Sequence, residues 1–568
     1  MTSPDIAGRR YVVDDAGVRA VSPVPDRGPR LVVDGRVAEL EFMGARPTES
    51  GGLAWRLVGE GLAADLRVEA ADTAGAVARV NLTVTGTGRL QHVDVEQWAT
   101  SPGLGQPVLG DGWFAALEHP GAEDLGLAVD HDLAAGPFVA PPLVVGTAPP
   151  GDELAALWDE VDRVRPCPPR LVVLANNWYQ LGYVGRMNEA TVAAELDGFA
   201  AVGRRHDLDL DWYCLDDPWD GQWEAGTGLW GRLDPSRFAG LPAGAAGIGL
   251  WVSPWGGYFD RHDARVAWGG EHGFEVHDGS WPRLCPAGDR YRAHVAASMA
   301  RFTEAGVGYW KIDGVQFDCP HADHGHATGP GGRTDQMDRF AGLLDGVRAV
   351  RPDVVLAFTT GSNPSPWWLK HADFIWRGGL DDDAPAEYDG GRHERFATYI
   401  DGCLDAFRPS SVPVSAVVTF SIVENGARAY RDEGDGLDAW QRHCWLLAAR
   451  GTHHHDLYVA PDSLSEAEWD VLAHVLRWAR QHQAVLARSR MIGGRPQAGE
   501  AYGFMSVDTS GEAILCVRNP TARPQPSPAL PGGGELIGAE PVFGRWTGEL
   551  APFEVAVVSG RWRPRPLD

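Results

Sequence analysis

Over the first 165 residues, apolar and polar positions alternate in short stretches such as RLVVDGRVAELEF and VARVNLTVTGTGRLQHVDVEQW, with Gly and Asp between them. A period of two turns one face of each stretch inward and the other outward, which predicts an antiparallel β-sandwich over 1–165. RVRPCPPRL, at 163–171, reads as a proline-rich hinge. Beyond it, continuous apolar runs alternate with helical segments. The predicted strands are 170–178, 208–217, 247–254, 307–313, 353–360, 372–377, 412–420 and 451–459. NEATVAAELDGFAAVGRRH and YRAHVAASMARFTEAG lie between two pairs of them, the second with apolar residues three and four apart and a glycine stop. Eight βα units in series predict a central (β/α)8 TIM barrel over 166–488, and the fold class is α/β. Short strands such as GEAYGFMSV and EAILCVRNP then return, predicting a small C-terminal β-sheet domain over 489–568.

Composition narrows the partners. With 568 residues, 44% hydrophobic and 22% charged, the chain exceeds what one core holds and is expected to divide into domains. A formal charge of −27 argues against nucleic acid or an anionic membrane, because phosphate groups are held by clustered Lys and Arg. The seven cysteines are scattered, with no CxxC pair, which points to reduced thiols and a cytoplasmic setting. Neither a secretory signal pattern nor an apolar run of about 18 residues is seen, so a soluble protein is expected.

The chemistry enters at YWKIDGVQFDCP, residues 309–320, which sets two opposite charges into a strand that is otherwise apolar. Alternation places Lys311 and Asp313 on the face that lines the barrel, with Trp310 and Ile312 against the surrounding helices. Other predicted strands end in polar sets too: Asn176, Asn177 and Trp178; Asp216 and Asp217; Ser253, Pro254 and Trp255; and Arg377 followed by Asp381, Asp382 and Asp383. The carboxyl ends of barrel strands are where such enzymes collect their reactive groups. Thirteen of the 23 tryptophans fall between 178 and 376. Indole faces are flat platforms for the CH-rich faces of a pyranose, so this rim suits a sugar. Breaking a glycosidic bond calls for one ionised and one protonated carboxyl group. Lys311 is expected to hold Asp313 ionised, and repulsion within the aspartate triplet to keep one of its members protonated.

The order of NNW, LDDPW, GLWVSPW, KID, FIWRGGLDDD and AYGFMSV along the chain resembles the α-galactosidase group of glycoside hydrolase family 36. The resemblance covers the barrel and the closing domain, and implies the amino-terminal sandwich as well. It implies Asp313 as nucleophile and Asp381 as acid/base, with Asp382 and Asp383 as rivals because the loop carries two residues more than the usual spacing. Trp178, Asp216, Asp217 and Lys311 are implied as contacts to the sugar in the −1 subsite, and Trp255 and Arg377 join them on the rim. Family members carry a Cys- and Gly-rich segment with an arginine after strand 5. Here TTGSNPSPWW stands in its place, which makes Asn363 and Trp367 the candidate contacts to the 2-position substituent.

The implied activity is that of a retaining exo-α-glycosidase acting on an oligosaccharide or glycoside, with no cofactor and no metal. A transglycosylase, an α-N-acetylgalactosaminidase or other α-glycosidase, and a carbohydrate-binding protein without catalysis stay open, as does assembly into a homo-oligomer. Blander readings stand beside each residue: an ion pair for Lys311 and Asp313, a cap for Asp216 and Asp217, core packing for Trp367 and Trp368. Two histidine-rich stretches, CPHADHGH (319–326) and THHHDLY (452–458), hold residue types that bind zinc when they converge. Spacing alone does not show convergence, and these loops are read as polar walls of the cavity, with His321 or His455 donating to sugar hydroxyls.

Overall fold

Strands buried on both faces read as continuous apolar runs rather than as alternation, and eight such runs form the centre of the molecule. In this computed structural model they are β1 (Val172–Asn176), β2 (Trp212–Leu215), β3 (Gly247–Val252), β4 (Tyr309–Ile312), β5 (Val355–Thr359), β6 (Phe374–Trp376), β7 (Thr419–Glu424) and β8 (His454–Val459). The structure describes residues 11–14, 17–20, 29–49, 52–70, 77–95, 105–123, 125–149, 151–222, 247–258, 260–360, 364–376, 387–408, 411–425 and 435–564. The eight strands pair in parallel in the order β6-β5-β4-β3-β2-β1-β8-β7. A parallel bridge between Ile375 and Val417, with the Val418 N–H donating to the Ile375 carbonyl at 2.9 Å, returns β7 to β6 and closes the ring.

Helices α1 (Glu189–His206), α2 (Asp260–Glu271), α3 (Asp289–Glu304), α4 (Gly332–Val350), α5 (Arg392–Asp405) and α6 (Leu437–Ala449) lie between the strands, and α7 (Glu466–Gln481) follows β8. Their starts follow local chemistry: Asn188 and Ser465 accept from the first-turn N–H groups of α1 and α7 in capping boxes. As alternation requires, Trp310 faces outward, donating from its indole to Thr303 of α3 at 3.0 Å. Val172, Leu174, Cys214, Tyr309, Val355, Ala357, Phe374 and Val418 plug the barrel interior. The polar side chains sit above this plug, toward the carboxyl ends of the strands.

Two sheets precede the barrel. One contains Val77–Thr85, Leu62–Ala70 and Leu53–Gly59, the other Arg89–Asp94, Gly126–Asp132 and Arg30–Val33. Leu66, Leu82 and Val145 of the first meet Leu31, Val93 and Leu127 of the second in one core, which makes the pair a sandwich. After the barrel, a five-stranded antiparallel sheet is built from Ser489–Gly493, Tyr502–Val507, Glu512–Arg518, Val555–Arg563 and Glu535–Phe543. No helix among the described residues is long and apolar enough to cross a membrane.

Two expectations are corrected. The seventh strand begins at Thr419, not 412, because the chain after Pro413 first makes a 3-10 turn over Val414–Ala416. An apolar run such as VPVSAVVTF carries no period to distinguish a turn from a strand. His455 lies fully buried on the outward face of β8, next in sequence to the inward-facing His454 and Asp456, and so is not placed to meet a ligand in the barrel.

Candidate active site

The site is assembled from the last inward positions of the strands. Asp313, one residue past β4, keeps the ladder by donating its N–H to the Val252 carbonyl at 2.7 Å. Its carboxylate accepts three hydrogen bonds: from the Trp251 indole at 3.2 Å, the Tyr258 hydroxyl at 3.2 Å and the Thr359 hydroxyl at 3.1 Å. Three donors from three different strands and loops fix the direction of both oxygens. Gly314 follows with φ +72°, and a Cβ there would overlap the Trp255 indole, so the turn out of β4 needs glycine.

Beneath it, Lys311 donates to Asp216 at 2.8 Å and to the Tyr458 hydroxyl at 3.0 Å. Tyr458 in turn donates to Asp456 at 2.8 Å, and Asn176 donates to Asp216 at 2.9 Å. One buried ammonium therefore serves several carboxylates. Burial alone favours the neutral amine, but Asp216, Asp456 and Asp313 overcome it and raise the Lys311 pKa. Burial pushes Asp456 up to about 7, against the opposing pull of Lys311 and Tyr458. Asp313 is raised as well, because its burial outweighs Lys311 and the Trp251 hydrogen bond. Lys311 acts on Asp313 in the expected direction, but its hydrogen-bonded carboxylate is Asp216, and burial outweighs its pull at Asp313.

Asp216 and Asp217 diverge despite being adjacent. The Asp217 N–H donates to Asp216, while the Asp217 carboxylate turns to Arg265 of α2 at 2.6 Å, which also holds Asp220 at 2.8 Å. Burial raises Asp217 to about 6, with Arg265 opposing and Asp220 assisting. Its second oxygen is buried without a hydrogen bond among the described residues. The Trp255 indole packs edge-on to Trp281, centroids 4.7 Å apart, and to Tyr258 at 5.8 Å. Trp178 opens a π-helical turn, Trp178–Gly182, after β1 and remains half-buried. Such turns depart from regular helix and recur at functional sites.

Of the residues singled out in the sequence, Lys311, Asp216 and Asp313 come together at the carboxyl ends of the strands, with Asp217, Trp255 and Trp178 on the flanking segments. Trp367 is corrected: it lies in the 3-10 turn Pro366–Lys370, fully buried in the main hydrophobic core, and presents no face to a ligand. Asn363, Arg377, Asp381, Asp382 and Asp383 lie outside the described residues. Sequence reasoning passed over Trp251, Tyr258, Thr359 and Tyr458. Trp251 pairs with Lys311 of β4, and Thr359 directly follows Phe358, the partner of Ile312 of β4, a signal that is usable only once the register is known.

No family model matches the chain, and no curated protein matches it. Solved structures do. A single-residue variant of the α-galactosidase AgaA of Geobacillus stearothermophilus, of glycoside hydrolase family 36, in complex with 1-deoxygalactonojirimycin, superposes with TM-score 0.61 at 13% identity, covering 96% of this chain and 90% of that one. The galactosidase domain of the α-galactosidase–sucrose kinase AgaSK gives 0.61 at 13%, covering 99% and 95%. AgaB of the same Geobacillus species gives 0.59 at 13%, covering 95% and 89%. The likeness is one of fold, and it runs through sandwich, barrel and closing sheet together.

Proposed function

From that shared architecture we propose that the protein is a retaining exo-α-glycosidase, α-galactosidase-like, that hydrolyses a terminal α-linked sugar through a covalent glycosyl-enzyme. The observation that carries the reading is the Asp313 carboxylate, gripped by three donors above a buried Lys311–Asp216 pair at the carboxyl end of the barrel. A fixed carboxylate whose oxygens are already aimed requires little reorganisation to attack an anomeric carbon.

In the proposed reaction Asp313 attacks the anomeric carbon while Asp381, or its rival Asp382 or Asp383, protonates the departing oxygen. Water, deprotonated by that same residue, then releases the sugar with its anomeric configuration retained. The geometry required is a separation of about 5–5.5 Å between the two carboxyl groups. Lys311 and Asp216 bind sugar hydroxyls, with Trp178 and Trp255 as apolar walls; the second oxygen of Asp217 is the further acceptor on this side. Arg377 and Asn363 are proposed contacts from the remaining loops, and the substrate class is an oligosaccharide or simple glycoside. Neighbours of this fold have been seen with raffinose and stachyose, which supports a sugar ligand of that size.

A panel of aryl α-glycosides differing in the sugar tests class and specificity together. Activity on one α-glycoside with net retention, lost on the order of 10⁴-fold in Asp313→Ala with substrate binding kept, is the expected result. Turnover by Asp313→Ala at near the native rate would dismiss the assignment.

A further inference from the structure

The segment between β3 and α3 and the loop after Asp313 each carry a Cys-Pro dipeptide, LCPAG at 284–288 and DCPHADHGH at 318–326. Proline disfavours helical conformation at the preceding residue, and neither cysteine lies in a helix: Cys285 precedes a turn, and Cys319 lies in the loop leading to the 3-10 turn Ala322–His324. The two segments are distant in sequence but adjoin in the fold. Arg283 pairs with Asp318 at 2.5 Å, and His277 packs edge-on to His321, 5.4 Å between centroids.

At this junction Cys285, Cys319, His324 and His326 are all buried, and one ligand atom from each lies within 4.8 Å of every other. The Cys285 Sγ is 3.4 Å from His326 Nε2, and the Cys319 Sγ is 3.3 Å from His324 Nδ1. Around a tetrahedral zinc ion with Zn–S of about 2.3 Å and Zn–N of about 2.05 Å, a sulfur and a nitrogen sit roughly 3.6 Å apart. The observed separations approach that edge length. The ring of His326 is already turned as a ligand would need, because its Nδ1 lies 2.9 Å from the Ala327 carbonyl and donates to it. That leaves the lone pair on Nε2, the atom that faces Cys285. Gly325, with φ +83°, folds the chain between the two histidines, and a Cβ there would overlap the Asp289 carboxylate. Gln336 of α4 holds Cys319 from both sides, accepting from its N–H and donating to its carbonyl, each at 3.0 Å.

We propose that Cys285, Cys319, His324 and His326 form a structural zinc site that fastens the loop following Asp313 to the segment preceding α3. Two thiolates and two neutral imidazoles compensate the charge of a divalent ion within a buried volume, and two sulfurs with two nitrogens in a tetrahedral arrangement suit zinc. All four positions are taken by protein, so the ion is structural rather than catalytic. His321 lies outside the tetrahedron: it pairs with Asp278 at 2.8 Å and stacks on His324, centroids 4.8 Å apart, supporting a ligand without being one. Through Arg283 and Trp281 the cross-link reaches Trp255, whose indole packs on Gly314, so it braces one wall of the candidate site.

The experiment is metal analysis of the purified full chain, incubated with zinc chloride under reducing conditions and desalted, with a parallel sample loaded with cobalt(II). About one zinc per chain, and a cobalt spectrum with tetrahedral d–d bands and thiolate charge transfer, are expected. Cys285→Ser and His326→Gln should each lose the ion, while Asp313→Asn retains it. Fewer than about 0.1 zinc per chain in the native protein would overturn the site. So would a cobalt sample without thiolate bands, or a Cys285–Cys319 disulfide in the unreduced protein. The native chain alone decides the matter should either variant fail to fold, and no readout depends on glycosidase activity.

Discussion

Asp313 is held by three neutral donors and Lys311 by charged and phenolic oxygens, so the two charges set in one strand do different jobs. Replacing Lys311 by Met leaves Asp216 buried without its cation, and unfolding titrations should register a loss of about 3–5 kcal/mol. Stability equal to the native protein would mean the lysine is not needed to balance the barrel's acids. Asp456 makes a pH-dependent contribution of opposite kind. Its pKa rises from 3.8 unfolded to about 7 folded, so the stability it confers by holding a proton is complete below 3.8 and is lost as pH rises through about 7. Asp456→Asn should therefore gain melting temperature relative to the native chain as pH goes from about 4 to 8; parallel melting profiles would contradict this. Because Asp313 is also raised by burial, the acid limb of kcat/KM should lie above the ordinary carboxylate value, with activity falling as pH drops through it.

Elements were legible wherever burial imposes a period. The eight barrel strands follow from apolar runs between helical segments, and the sandwich from alternation such as that of Val77–Thr85, whose inward residues are buried in turn. The KID segment announced the site because charges inside a two-faced buried strand have no cheap structural explanation. What escaped were contacts that depend on register or on distant loops. Tyr258 reaches Asp313 from a loop 55 residues earlier, and Cys285 joins the histidine loop from 34 residues before Cys319; neither pairing leaves a local pattern. Trp367 misled for the converse reason, since an indole after a strand reads alike whether it faces a ligand or the core. Trp367→Ala should cost about 3–5 kcal/mol of stability through the cavity it leaves. KM in the folded fraction should be unchanged, and a selective rise in KM without destabilisation would restore the indole as a ligand contact. Gly314→Ala tests the turn after β4: with φ +72° and Trp255 in the way, it should abolish activity while far-UV circular dichroism stays native.

At the scale of the molecule, polar clusters and ion pairs fasten the flanking sheets to the barrel. On the carboxyl side, Arg518 reaches Glu394 at 2.9 Å and Tyr502 bonds Asp401, which also pairs with Arg450. On the amino side, Lys370 reaches Glu118 at 3.3 Å, and Ser365 donates to the Gly105 carbonyl at 2.6 Å. These ties join the turn after β5 to the amino-terminal sandwich, and α5 to the closing sheet. The formal charge of −27 suits a neutral sugar as ligand and disfavours polyanions. Glycosylation of Asp313 is read out by incubating the protein with a fluorinated α-galactosyl fluoride and locating the adduct by peptide mass spectrometry. One fluoroglycosyl group is expected on the peptide containing Asp313, and none in Asp313→Asn. An adduct on a different carboxylate, or hydrolysis with inversion and no adduct at all, would contradict it.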